Sequence, residues 1–93
     1  MEDTVQLLSP ATNFAIVHLP GREFPGVVVQ GDTLNGLVRN LKRMAQLLNK
    51  GDLEELADEL SLITEPLLDA LYHYEHVCTE RGIHLPYFES GAR

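Results

Sequence analysis

Two apolar stripes joined by a very short link constrain this chain more than any other feature of its sequence. In the first stripe, apolar residues recur at alternating spacings of three and four: Leu34, Leu37, Leu41, Met44 and Leu48. The second stripe continues the same alternation: Leu53, Leu56, Leu60, Ile63, Leu67, Ala70, Tyr74 and Val77. This period places each series along one side of an α-helix. Because so few residues separate the stripes, the helices can meet only as an antiparallel hairpin.

Capping residues set the expected ends of the two helices. We expect helices over about 33–49 and 52–81. Asp32 or Thr33 is a suitable N-cap for the first helix, and Asp52 for the second, since a side-chain oxygen can accept from the first exposed amides. Gly51 suits the left-handed residue that ends a helix.

Pro66 and the segment after the second helix give two further expectations. Pro66 removes one backbone hydrogen bond, so we expect a kink or a short break near Thr64 and Glu65. Residues 82–93 form a C-terminal tail, whose apolar part, 83–88, is expected to pack back onto the fold.

The first third of the chain has the alternation and turn residues of short strands. We place strands at about 5–8, 13–19 and 26–30. The predicted fold is therefore α+β, with a small antiparallel sheet of two to three strands before the helical hairpin, in the order β-β-β-α-α. A length of 93 residues suits a single domain over 1–93. Apolar residues on both faces of such a sheet predict a homodimer, in which a second chain covers a face or pairs with an edge.

The net charge of −7 is distributed unevenly. Residues 1–51 carry five basic and four acidic side chains, a balance of +1, whereas residues 52–93 carry two and ten, a balance of −8. Binding to nucleic acid is not expected, because such proteins need a basic stripe. The candidate partner-binding residues are Glu54, Glu55, Asp58, Glu59 and Glu65, with Arg22 and Glu23 at a hairpin tip. A basic protein is the expected partner; the alternative is a solvated helix face, partly neutralised by Arg39, Lys42 and Arg43.

A polar stripe on the second helix contains weak candidates for metal ligands: Asp69, His73, His76 and Glu80. Their spacings of four, three and four place them on one side of the helix, where His and carboxylate can bind zinc. The two histidines are three residues apart, which does not fit zinc-protease motifs. A solvated polar face is the preferred interpretation, and we predict no metal and no cofactor.

The sequence contains no arrangement typical of an enzyme. Cys78 is the only cysteine and lies on the apolar side of the second helix, so we interpret it as a core thiol. The glycines are spaced as turns rather than as a phosphate-binding loop. No run reaches the ~18–20 apolar residues of a membrane span, and the first residues do not resemble a signal peptide. We expect a non-enzymatic cytoplasmic protein without membrane contact.

Residues 20–34, reading PGREFPGVVVQGDTL, carry a resemblance. With the ending GIHLPY at 82–87, they resemble a group of small uncharacterised bacterial domains, which has no known activity to carry over. A weaker likeness, over about 24–48, is to HicB-type antitoxins, where a similar strand also leads into a helix. That likeness implies a partial ribonuclease-H-like fold without nuclease activity that neutralises a small basic toxin.

The predicted function is a protein-interaction domain, in its most concrete form an immunity or antitoxin-like protein that binds a basic partner. The chain departs from HicB proteins after residue 50, where many of them carry a DNA-binding module and this chain has an acidic helix. The alternatives are a small metal- or ligand-binding domain and a structural homodimer.

Overall fold

The computed structural model describes residues 4–87 and contains three short strands followed by two long helices. The elements are β1 Gln6–Leu7, β2 Ile16–His18, β3 Gly26–Val27, α1 Gly31–Lys50 and α2 Leu53–Glu80. The strands form one antiparallel sheet in the order β1-β2-β3. The predicted α+β class and element order are confirmed.

All three strands are shorter than predicted, and a sharp turn at Phe14 accounts for the late start of β2. This residue has a φ of 60°, in the left-handed region that few side chains adopt. The predicted strand over 13–19 therefore begins only at Ile16, where Leu7 pairs with Val17 on one side and Val27 pairs with Ile16 on the other. One further bond, from the Val28 amide to the Ala15 carbonyl (2.8 Å), extends the pairing of β3.

The chain divides into two compact units, and α2 contributes to both. The strand unit comprises Met1–Val29 and Leu71–Arg93, and the hairpin unit comprises Gln30–Ala70.

The core of the strand unit forms where the sheet meets the last turns of α2. Its buried residues are Leu8, Ile16, Tyr74, Val77 and Cys78, and Ile83 and Leu85 pack against them. Ile16 and Cys78 are fully buried, which confirms the interpretation of Cys78 as a core thiol. The tail after α2 packs back onto the fold as predicted, although Phe88 and the predicted frayed end lie outside the described residues.

Two hydrogen bonds connect the end of α2 and the residue that follows it to distant parts of the strand unit. The Tyr74 hydroxyl donates to the Pro25 carbonyl over 2.9 Å in a buried position. The Arg81 Nε donates to the Leu8 carbonyl over 3.1 Å. Both carbonyls lie next to strands, so these bonds satisfy backbone groups that the short ladders leave unpaired.

In the hairpin unit, α1 begins two residues earlier than its capping residues predicted. The Leu34 amide donates to the Gln30 carbonyl over 2.8 Å, so the helix begins at Gly31 with Gln30 as its N-cap. The predicted cap at Asp32 or Thr33 is therefore wrong. Asp32 instead lies in the first turn, where a carboxylate is favourable beside the exposed amides.

The turn between the helices follows the prediction. Gly51 has a φ of 74°, and the amides of Gly51 and Asp52 donate to carbonyls in the last turn of α1. The Asp52 carboxylate accepts from the Glu55 amide over 3.2 Å and caps α2. Beyond this turn, α2 continues through Pro66, so the chain has no break there.

Side-chain contacts confirm the antiparallel pairing of α1 and α2. Asn40 contacts Glu59, whereas Arg43, nearer to the turn, contacts both Glu59 and Glu55. The contact that is nearer to Gly51 on α1 is also nearer to Gly51 on α2, which is the pattern of an antiparallel hairpin.

Only half of the predicted apolar seam packs between the helices, and this corrects the prediction. Alternate members of each stripe are at least partly covered: Leu37, Met44, Leu56, Ile63 and Ala70. The intervening members are exposed, from 44% at Leu67 to 67% at Leu53: Leu34, Leu41, Leu48, Leu53, Leu60 and Leu67. Two helices that pack side by side share one line of contact, so the other half of each stripe has no helix to face.

Two glycines of α1 and its C-terminal turn are expected to respond in opposite ways to substitution by alanine. A Cβ at Gly36 would meet nothing within 4 Å, so Gly36→Ala should raise the free energy of unfolding by about 0.5–1 kcal/mol. Gly51→Ala should lower it by about 1 kcal/mol, because φ there is 74°. Urea denaturation measures both, and a stabilising Gly51→Ala would contradict the left-handed turn.

The Tyr74 hydroxyl should contribute measurably to stability. Tyr74→Phe leaves the Pro25 carbonyl without its buried donor, which should lower the free energy of unfolding by about 1–2 kcal/mol. Tyr72→Phe, the same change at a residue that is 37% exposed, is the matched control and should cost less, because water can replace a partner of an exposed hydroxyl. Equal denaturation midpoints for the two variants would exclude a structural role for the Tyr74 bond.

Candidate interaction surfaces

The exposed half of the apolar stripes forms a candidate interaction surface on the hairpin unit. We define this leucine face by its large apolar members: Leu34, Val38, Leu41, Leu48, Leu53, Leu60 and Leu67. Their exposed fractions range from 40% to 67%. Exposed single apolar residues are common, but a row of them along two adjacent helices is typical of a binding surface.

Helix geometry places both rows of the leucine face on the same side of the hairpin. At about 100° per residue, the α1 row is centred roughly 110° from the side of α1 that faces α2. The α2 row is centred about 90° from the side of α2 that faces α1. Viewed from one end, residues advance clockwise around one antiparallel helix and counterclockwise around the other. The two offsets therefore move both rows toward the same side of the hairpin.

The opposite side of the hairpin carries ion pairs. Arg43 Nε lies 3.1 Å from Glu59 Oε1, and Arg43 Nη2 lies 3.6 Å from Glu55 Oε1. Asn40 also donates to Glu59 over 3.0 Å. The Glu59 side chain is only 13% exposed, so these contacts occupy one of the carboxylates predicted to bind a partner. An open cavity of about 470 Å³ lies on this side. Its lining residues are Arg39, Asn40, Lys42, Arg43, Gln46 and Glu59.

Four other acidic residues of α2 form a separate line along the helix. We define this line as the acidic stripe: Glu54, Asp58, Glu65 and Asp69. All four residues are exposed. Within residues 4–87, none of these carboxylates takes part in an ion pair. Their spacings of four, seven and four place them within about 60° of one another around the helix. The structure thus divides the predicted partner-binding carboxylates into a paired group, Glu55 and Glu59, and an unpaired line.

Arg22 and Glu23 lie in the turn between β2 and β3, in the strand unit. Both are exposed. The Arg22 carbonyl is 2.7 Å from His18 Nε2, and the Arg22 amide donates to the Leu19 carbonyl over 3.3 Å. These backbone contacts shape the turn and leave both side chains at the surface.

The weak metal candidates do not form a cluster. His76 Nε2 lies 3.4 Å from Glu80 Oε2, and both side chains are 67% exposed. In the part of the chain that the structure describes, no group of three or more His, Cys, Asp or Glu side chains is placed to hold a metal ion. The His76–Glu80 contact is an ordinary surface pair at i,i+4 spacing.

A buried carboxylate in the strand unit, Glu75, was not predicted from the sequence. Glu75 is only 4% exposed, and the Tyr87 hydroxyl donates to its carboxylate over 3.0 Å. Burial and this bond to Glu75 raise the pKa of Tyr87 to about 12. In sequence, Glu75 differs in no visible way from the exposed acids of α2, so only the position of the tail reveals the pair.

Cys78, in the same core, has little tendency to react. Burial raises the pKa of its thiol, and the nearby Glu75 charge raises it further, although a hydrogen bond with Tyr74 acts in the opposite direction. The thiolate, which is the nucleophilic form, is therefore disfavoured.

Comparison with known proteins gives a family. The model of DUF6959, a family of unknown function, matches residues 1–87. The chain belongs to this family. The match includes the sheet, both helices and the tail up to Tyr87, so the family is defined by both units. No curated protein and no solved structure matches the chain. No helix among the described residues is long and apolar enough to cross a membrane.

The Tyr87–Glu75 contact predicts a loss of stability in alkali. The pKa of folded Tyr87, about 12, is above the ordinary value of 10.0, so the unfolded chain releases this proton first. The contact therefore contributes fully below pH 10 and ceases to contribute as the pH rises through about 12. Tyrosinate absorbance against pH should lose its most alkaline component in Tyr87→Phe. Glu75→Gln should move that component to lower pH, and an unchanged profile in Glu75→Gln would contradict the assignment.

Proposed function

We propose that this protein is a non-enzymatic protein-interaction domain that binds a basic partner protein through the acidic stripe of α2. The observation that carries the proposal is the contrast between two sets of carboxylates on one helix. Arg43 and Asn40 satisfy Glu55 and Glu59, whereas the acidic stripe is exposed and has no counter-charge within residues 4–87.

Charge also supports a basic partner. Unpaired carboxylates in one line create a negative potential that attracts cations and accelerates encounter with a positively charged surface. The basic residues of α1 are nearby, but among the described residues only Arg43 forms an ion pair with α2. Because the excess of acid in residues 52–93 is eight charges, this chain does not neutralise it internally.

In its most specific form, the proposal is an immunity or antitoxin-like role. The likeness of about residues 24–48 to HicB-type antitoxins supports it, since those proteins neutralise small basic toxins. That segment comprises β3 and most of α1, and the acidic stripe follows it on α2.

Charge reversal tests the proposal directly. Asp58→Lys and Glu65→Lys each change the charge by +2 at an exposed position and should weaken binding of the partner by about tenfold or more. Glu80→Lys makes the same change at another exposed position of α2 and should bind as the wild type does. Each purified protein would serve as bait in a lysate of the source organism, and captured proteins would be identified by mass spectrometry.

The expected result is a basic protein that the wild type and Glu80→Lys capture and that Asp58→Lys and Glu65→Lys lose. Binding should also weaken with added salt. For the antitoxin form, the captured protein expressed alone should arrest growth, and co-expression with this chain should restore it. Capture that is equal for all four proteins would remove the acidic stripe from the function.

A further inference from the structure

The hairpin unit buries few of its apolar side chains. Of the apolar residues in 30–70, only Leu47 and Ile63 are buried. In proteins, most of the stability of a helix comes from packing of its apolar side rather than from intrinsic propensity. The side chains of the leucine face are exposed, so much of the apolar surface of these two helices does not pack within the hairpin unit.

The spacing of the leucine face indicates helices as its complement. Leu34, Val38, Leu41, Ala45 and Leu48 follow spacings of four, three, four and three, and Leu53, Leu60 and Leu67 are seven apart. In a four-helix bundle, both alternating sets of a heptad face the core, because each helix has two neighbours. In this hairpin one set faces the other helix and the second set is exposed, as expected for half of such a bundle.

We infer that a second copy of this chain covers the leucine face, so that two hairpins form a four-helix bundle. The exposed fractions correspond to roughly 600 Å² of apolar surface per chain, hence about 1,200 Å² per dimer, which reaches the lower limit of stable interfaces. In a two-fold symmetric dimer, the leucine face of each copy contacts the leucine face of the other. Both faces are then covered, so no further copy is added.

The distribution of charge permits this pairing despite a net charge of −7 on each chain. The leucine face contains no acidic residue, and the positions beside it on the outer flanks are Asn35, Lys42, Ala57 and Thr64. The acidic stripe lies farther around α2, so two copies can approach without bringing carboxylates into the contact. The inference does not depend on the proposed function, because the two surfaces use different residues.

Leu60 and Leu62 provide a matched pair of variants. Both are exposed on α2, at 50% and 64%, but Leu60 belongs to the leucine face and Leu62 lies on the side of the Arg43 ion pairs. Leu60→Glu should raise the dimer dissociation constant at least about a hundredfold, because two carboxylates would enter an apolar contact. Leu62→Glu should leave the dissociation constant near that of the wild type. Sedimentation equilibrium over a range of concentrations measures these constants.

Leu41→Glu, on the other helix, repeats the test, and thermal unfolding gives a second measurement. For a dimer, the wild-type melting temperature should rise with protein concentration, and this dependence should persist in Leu62→Glu. Loss of the dimer in Leu60→Glu and Leu41→Glu alone, with or without loss of helical circular dichroism, supports the inference. A monomeric wild type with a concentration-independent melting temperature would overturn it. So would a dimer that Leu62→Glu disrupts as strongly as Leu60→Glu.

Discussion

Two helices that pack side by side share a single line of contact, and each can bury only the side chains on that line. This chain carries a heptad pattern with two alternating sets of apolar residues on each helix, so a hairpin can cover only one set. Leu37 and Met44 on α1, with Ile63 on α2, belong to the covered set. The exposed leucines follow from the same constraint, because their helices have no second neighbour within residues 30–70.

In the strand unit, three very short strands are held in place by contacts from outside the sheet. Two or three residues per strand give few ladder bonds, and an isolated sheet of that size is marginal. The last turns of α2 supply the apolar cover and one donor, Tyr74, and Arg81, the residue after α2, supplies a second donor. Tyr74 reaches a carbonyl 49 residues away and Arg81 reaches one 73 residues away. Contacts over such separations make the sheet depend on the helix, and the C-terminal tail completes the core through Ile83 and Leu85.

The charges of α2 are arranged so that its surfaces differ in chemistry. Carboxylates near α1 are satisfied by Arg43 and Asn40, and carboxylates farther around the helix are left in water. The leucine face carries no acidic residue at all. The proposed contact with a second copy is apolar and the proposed contact with a basic partner is charged, so neither requires the residues of the other.

The helical hairpin and the order of elements were predictable from local signals alone. Gly51 and Asp52 determine the adjacent turn through backbone conformation and capping. The period of the leucines places the leucines on one side of a helix whatever the rest of the chain does. The candidate carboxylates could also be identified from sequence, since acidic side chains greatly outnumber basic ones after residue 51. What could not be predicted is which of them would meet Arg43, because that depends on the rotation of α2 against α1.

The tertiary structure decided the remaining features. The left-handed φ of Phe14, which delays the start of β2, and the burial of Glu75 beside Tyr87 could not be identified from the sequence pattern. Which half of each leucine stripe is covered was decided in the same way. Periodicity determines which residues share a side of a helix, whereas burial depends on what that side contacts, and only the packed chain specifies the contact.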